Sequence, residues 1–253
     1  GGDLAAEVKL DDGGEIGMLQ SGFNRMVTGL RERERLRDLF GRHVGDEVAR
    51  HAMEAPTGLG GEQRDVSVLF VDLIGSTALA EVLAPEEVVE TLNSFFAAVV
   101  DAVSAEGGWV NKFEGDGALC IFGAPAVQPD HAARALRAAR AVRDGVVRLR
   151  STHPGLDAGV GVSSGAVVAG NVGTEQRYEY TVIGAPVNEA ARLSELAKGH
   201  PGRVLAAGSS IERAGAGDGE SASWVGRGTV ALRGRAEPTA IHEPVLARTA
   251  EIG

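Results

Sequence analysis

The sequence is short of cysteine, of aromatic residues and of positive charge. Among 253 residues there is one cysteine, Cys120, which excludes an intrachain disulfide and any cysteine-cluster zinc site. It lies in the apolar run Ala118–Phe122, where a buried, inert thiol is expected. Aromatics make up 4%, so the core must be built mainly from Ala, Val and Leu. Acidic residues outnumber basic ones 35 to 25, and the resulting net charge of −10 argues against nucleic acid as the main partner. A phosphate substrate needs metal ions or a local basic pocket to overcome that field. No apolar stretch approaches the roughly 18 residues of a membrane-spanning helix, and no signal peptide is visible. What remains is ordinary for a globular chain, with 43% hydrophobic and 24% charged residues in a length suited to one sizeable domain plus an appendage. The chain begins Gly-Gly rather than Met and so reads as a piece of a longer parent.

The first forty residues differ from the rest. Ile16, Leu19, Phe23, Met26 and Leu30 recur at alternating three- and four-residue steps, a heptad seam on one helix face. A helix this short is marginal alone and wants a partner, either the same helix of a second copy or the chain's own domain. The charged run Arg31–Arg35 reads as a solvated face. The words Gly14-Glu15-Ile16-Gly17-Met18-Leu19 and Phe23-Asn24-Arg25-Met26 resemble the second helix of a HAMP signalling module, over roughly residues 4–35. That resemblance implies a transmembrane parent with this chain on its cytoplasmic face and without membrane contact of its own. Residues 1–39 are therefore read as a partial HAMP and signalling helix, 40–63 as a linker that is loose from Pro56 to Gln63, and 64–253 as the main domain.

That domain alternates strand and helix patterns. Val66–Val71 is an apolar strand ending at Asp72, and Pro85 starts a helix carrying Val88, Leu92, Phe95, Phe96, Val99 and Val103. Trp109–Phe113 and Ala118–Phe122 form a hairpin around Gly115-Asp116, and Asp130 caps an Ala/Arg-rich helix to about Arg150. Strands follow at Leu156–Val162, Ala166–Ala169 and Tyr178–Ile183, then a helix from Pro186 to Ala197 and strands near Arg203–Ala206, Thr229–Leu232 and Ala240–Val245. The order predicts an α/β (α+β) fold, with a ferredoxin-like βαββαβ core sheet, helices on one face and extra C-terminal strands.

In such a sheet the end of the first strand lies beside the hairpin turn, so Asp72 and Asp116 arrive at one rim. Read singly, Asp72 caps a helix and Asp116 makes a turn. Read together, they form a hard oxygen site for Mg²⁺ or Mn²⁺ on a phosphate substrate. Gly75-Ser76-Thr77 opens a helix-like segment whose backbone N–H groups face an anion, a role compatible with a plain cap at Ser76 or Thr77.

Three blocks in order carry a close resemblance: Phe70-Val71-Asp72-Leu73-Ile74-Gly75-Ser76-Thr77, Asn111-Lys112-Phe113-Glu114-Gly115-Asp116, and Tyr180-Thr181-Val182-Ile183-Gly184-Ala185-Pro186-Val187-Asn188-Glu189-Ala190-Ala191-Arg192. They resemble the catalytic domain of class III nucleotidyl cyclases, over about residues 64–248. The resemblance implies that ATP is the substrate, that its ribose 3′-hydroxyl attacks its own α-phosphate, and that cyclic AMP and pyrophosphate leave. Two metal ions per site, Mg²⁺ or Mn²⁺, are implied on Asp72 and Asp116, with the Leu73 carbonyl a further ligand. Lys112 is implied to donate to adenine N1, where guanine carries a hydrogen instead. Thr181 stands where many members have a purine-reading aspartate, a replacement that resembles class IIIb, some of whose members respond to bicarbonate. Asn188 and Arg192, one helical turn apart, are implied to position the ribose and stabilise charge on the α-phosphate. Arg233 falls at a phosphate-binding position, with Arg235 its rival. The family's domain works as a head-to-tail dimer, so a homodimer with two shared sites is implied.

Gly161-Val162-Ser163-Ser164-Gly165 matches the nucleophile elbow of serine hydrolases, but a β-like segment follows it where a helix is required. The six histidines show no metal-ligand spacing. Other readings that stay open are a guanylyl cyclase and a catalytically weak, dimerising nucleotide sensor.

Overall fold

The computed structural model describes residues 14–45, 58–215, 219–235 and 237–245. It divides into two compact units, residues 1–57 and 58–253. Most of the expected linker, residues 46–57, lies outside the described residues, as does the start of the HAMP-like segment before Gly14. In the first unit a single helix, α1 (Glu15–Val44), runs for 30 residues. Its seam residues Ile16, Leu19, Phe23, Met26 and Leu30 are all exposed.

The second unit is organised by β1 (Gly60–Leu73), which pairs antiparallel with β3 (Gly117–Phe122) on one side and β4 (Ala158–Thr174) on the other. β2 (Trp109–Glu114) closes that edge, giving the order β2-β3-β1-β4 of a ferredoxin-like core. The sheet continues through β6 (Val204–Ala207), β8 (Thr239–Pro244) and β7 (Trp224–Val230), while β5 (Arg177–Ile183) pairs with the far half of β4. Eight strands with helices make a mixed α+β fold, as the sequence predicts.

The core unit's two helices are α3 (Pro85–Ala105) and α4 (His131–Leu149), after a short α2 (Ser76–Val82). Phe95, Val99 and Val103 of α3 and Leu136 and Val142 of α4 pack on Leu69, Val71, Cys120, Phe122, Val160 and Val162 of the sheet. Five alanines of α4 (132, 133, 135, 138, 139) are buried, so small side chains stand in for the missing aromatics. Burial pushes the Cys120 thiol far above its ordinary pKa, in keeping with an inert side chain. α3 is long and apolar enough by length and composition to cross a membrane, which corrects the reading that no stretch comes near. Its buried stripe of Thr91, Phe95, Val99 and Val103 serves the domain core instead.

The expectation of helices on one face holds for α3 and α4 but not for the helix that follows β5. Side chains alternate along a strand, so Gly159 and Gly161 face away from Val160 and Val162. On that opposite face lies α5 (Ala185–Ala197), so close that a Cβ on Gly161 would strike the Ala190 carbonyl and the Ser194 amide. Leu193 and Ala197 of α5 join Leu205, Ala207, Leu232 and Ile241 in a second apolar cluster. With both faces covered, Val66–Leu69 is buried without a break, which explains its near-continuous apolar run.

Several boundaries differ from the sequence expectation. β1 begins at Gly60, inside the stretch read as loose, where it pairs with β4 so closely that a Cβ on Gly170 would strike the Gly60 carbonyl and the Gly61 Cα. β4 is one strand of 17 residues where two were expected. Its polar middle survives burial because Ser163 donates to Glu189 (2.6 Å) and Ser164 to Ser210 (2.8 Å). Asp130 is the N-cap of α4 but makes no capping hydrogen bond, its carboxylate being held by Arg134 at 2.7 Å. β7 lies earlier than expected, α6 (Gly208–Ala214) was not anticipated, and Leu232 packs in a turn. The Gly161→Ala variant is expected to lose roughly 2–4 kcal/mol of stability, since α5 must lift off β4, as measured by urea unfolding.

Candidate active site

Asp72 occupies the penultimate position of β1, with Gly117 and Gly159 directly opposite on its two neighbours. Gly117 clears room around the carboxylate, since a Cβ there would lie 2.8 Å from Asp72 Oδ1. The Leu73 N–H donates to the Asp116 carbonyl at 3.4 Å, tying the strand end to the hairpin turn. The two aspartates therefore meet at one rim, as expected. The Asp116 carboxylate has no side-chain partner among the described residues, whereas Asp72 Oδ2 accepts from Lys198 Nζ at 2.5 Å. A cavity of about 360 Å³ opens beside them, lined by Leu73, Ser76, Thr77, Val88, Leu92 and Asp116 among others. Gly75, with φ 73°, is the N-cap of α2, and no side-chain cap hydrogen bond is made, so the plain-cap reading of Ser76 or Thr77 does not hold. Both residues instead sit in the first turn, beside the cavity. Two carboxylates at one rim supply hard oxygen ligands of the kind a divalent cation takes, and an ammonium occupies one of those oxygens.

A second group gathers across β2 and β5. Lys112 Nζ lies 2.9 Å from Glu179 Oε1. Asn111 donates through Nδ2 to the Tyr180 carbonyl at 2.7 Å, and its Oδ1 accepts the Thr181 hydroxyl at 3.0 Å. The Thr181 proton is thus spent on Asn111, leaving the hydroxyl oxygen free to accept. Lys112, Asn111 and Thr181 make no hydrogen bond or ion pair to Asp72 or Asp116 among the described residues.

The third group rides on α5. Asn188 and Arg192 are both exposed, and Arg192 forms no ion pair among the described residues. Between them Glu189 points inward, 5% exposed, where Ser163, Thr239 and Arg235 converge at 2.6, 2.6 and 2.8 Å. Arg235 is thereby committed to anchoring α5, while Arg233 stands exposed in the neighbouring turn. Sequence reasoning gave no role to Asn111, Glu179, Glu189 or Lys198. The pairing of Glu195 and Lys198 at i,i+3 was the one local signal for the last.

The hydrolase motif resolves as structure. Ser163 and Ser164 lie mid-strand and are buried, with no helix following. Ser67 bonds Ser164 at 2.5 Å and His131 Nδ1 at 2.8 Å, and Asp65 lies 3.8 Å from His131 Nε2. This Ser-His-Asp chain admits no substrate, because Ser67 is fully buried.

The sequence matches the model of the adenylate and guanylate cyclase catalytic domain over residues 61–242, and the chain belongs to that family. An uncharacterised protein of Mycobacterium tuberculosis is 53% identical over 244 residues, covering 96% of this chain and 42% of the relative. The chain thus spans less than half the length of the curated relatives it matches. Among solved structures, the guanylyl cyclase Cya2 superposes with a TM-score of 0.62 at 31% identity, over 76% of this chain and 98% of that one. The adenylyl cyclase CyaB from P. aeruginosa gives 0.65 at 26% identity over the same shares.

Burial lowers the His131 pKa below 6.5, against the pull of Asp65. The unfolded chain therefore binds the proton more readily, and stability is expected to fall as pH drops below about 6.5. The His131→Phe variant should flatten that acid limb in thermal melts between pH 5 and 7.

Proposed function

We propose that this chain is the catalytic part of an adenylate cyclase that converts ATP to 3′,5′-cyclic AMP and pyrophosphate in a homodimer with two shared sites. One observation carries the base preference: Lys112 on β2 brings donors and Thr181 on β5 an acceptor, the two strands being tied together by Asn111 and by the Lys112–Glu179 pair. Adenine presents the matching pair, an acceptor at N1 and a donor at N6. Divalent cations, Mg²⁺ or Mn²⁺, two per site, would supply Lewis acidity toward the 3′-hydroxyl and neutralise the triphosphate when bound. Asp72, Asp116 and the Leu73 carbonyl are the groups that would hold them. Gly75, Ser76 and Thr77 lend backbone N–H groups to the phosphates, and Arg233 the terminal phosphate contact. Asn188 orients the ribose, and Arg192 meets the charge that grows on the α-phosphate as the 3′-oxygen bonds to it and pyrophosphate departs.

Pairing of two copies is supported by the lack, among the described residues, of any hydrogen bond or ion pair between Asp72 or Asp116 and the Lys112 group. Exposed apolar residues Phe113 and Ile183 lie on the same strands as Lys112 and Thr181, a surface suited to a second copy. The exposed seam of α1 supports a parallel helical pair of HAMP type, and hence a membrane-bound parent carrying this chain on its cytoplasmic face. A second reading, guanylyl cyclase, is favoured by the likeness to Cya2.

Purified chain given Mn²⁺ should form cyclic AMP from ATP well above cyclic GMP from GTP, as read by chromatography; a reversed preference selects the second reading. Arg192→Ala is expected to lower kcat roughly 100- to 1000-fold with an unchanged melting temperature, because the side chain is exposed. Mixing Asp72→Asn with Lys112→Ala, each inactive alone, should restore product, and failure to do so removes the shared site.

A further inference from the structure

Lys198 has no part in the chemistry just described, yet its ammonium rests on Asp72 at 2.5 Å. Its backbone is fixed. As the C-cap of α5 it donates its N–H to Glu195 (3.2 Å), and its carbonyl accepts from Arg203 Nη1. Arg203 also grips Asp157 at 2.8 Å, and the Asp157 carbonyl accepts from Ile74, two residues beyond Asp72, at 2.8 Å. A chain of hydrogen bonds thus joins the base of Lys198 to the strand end that carries Asp72. Gly159 makes room for the side chain, since a Cβ there would lie 2.8 Å from Lys198 Cγ.

Nζ also has a second carboxylate, Glu195 Oε2, at 2.7 Å. The two carboxylates are unequal: the Asp72 side chain is 23% exposed and that of Glu195 71%. Burial pulls the Lys198 pKa down, but the hydrogen bonds and charges of Asp72 and Glu195 outweigh it and leave the value raised, so the group stays a cation.

We propose that Lys198 is a built-in counter-cation for the metal-site aspartate: it holds Asp72 while no divalent cation is bound and withdraws to Glu195 when one takes the carboxylate. The inference rests on the reading of Asp72 and Asp116 as metal ligands. An ammonium at 2.5 Å and a divalent cation cannot share one carboxylate oxygen, because like charges so close repel strongly. Glu195 gives the displaced ammonium a solvated partner, which avoids stranding a half-buried charge. Lys198 therefore competes with the metal and sets the free-ion concentration at which the site fills.

The test is Mn²⁺ binding to the purified chain without nucleotide, followed by loss of the free-ion electron paramagnetic resonance signal. Lys198→Gln should tighten binding about fivefold, the scale of one partly exposed ion pair. Glu195→Gln should weaken it, and the double variant should match Lys198→Gln. Melting temperature gives a second readout: in chelator Lys198→Gln should melt below wild type, and added Mn²⁺ should raise it more. Unchanged or weaker binding in Lys198→Gln overturns the role of the lysine alone. Absence of Mn²⁺ binding in both wild type and Lys198→Gln overturns the metal reading, and this inference with it.

Discussion

The close seating of α5 on β4 is the constraint on which the rest of the second unit depends. Gly159 and Gly161 present bare backbone to the helix, and any side chain there would collide with the helix main chain or with Lys198. Because the helix lies so low, its residues divide sharply by depth. Leu193 and Ala197 enter an apolar cluster, and Glu189 is driven into a buried polar socket. Asn188 and Arg192 are left facing outward, and the helix end reaches Asp72 through Lys198. One steric fact thus fixes the roll of the helix and the placement of three kinds of functional group.

Glu189 is the pin in that arrangement. A carboxylate 5% exposed is tolerated only because two hydroxyls and a guanidinium surround it. The socket draws on β4, β8 and the turn after β7, so it ties α5 to the C-terminal strands as well as to the core sheet. It also separates Arg233 from Arg235, two residues that look interchangeable in the sequence. One is occupied within the fold, and the other is exposed in the turn.

Much of this was legible beforehand where the signal was local or periodic. The apolar run of β1, the Gly-Asp turn between β2 and β3, and the heptad seam of α1 each followed from spacing and residue type alone. The convergence of Asp72 and Asp116 followed from topology. What escaped were features that depend on a distant partner. The serines of β4 read as a break, since their hydroxyls are satisfied by Glu189, Ser67 and Ser210 from elsewhere in the chain. The placement of α5 on the opposite face turned on glycines whose meaning appears only when a helix lies over them. Lys198 is separated from Asp72 by more than a hundred residues, and no periodicity links them.

The ion pair at the strand end has a consequence for the life of the chain before any nucleotide arrives. In a protein of net charge −10, an unpaired half-buried carboxylate at the strand end would add repulsion to an already acidic chain. With an internal ammonium in place, Asp72 is neutralised from within. The burial of that carboxylate is thus compensated by a charge the chain itself provides.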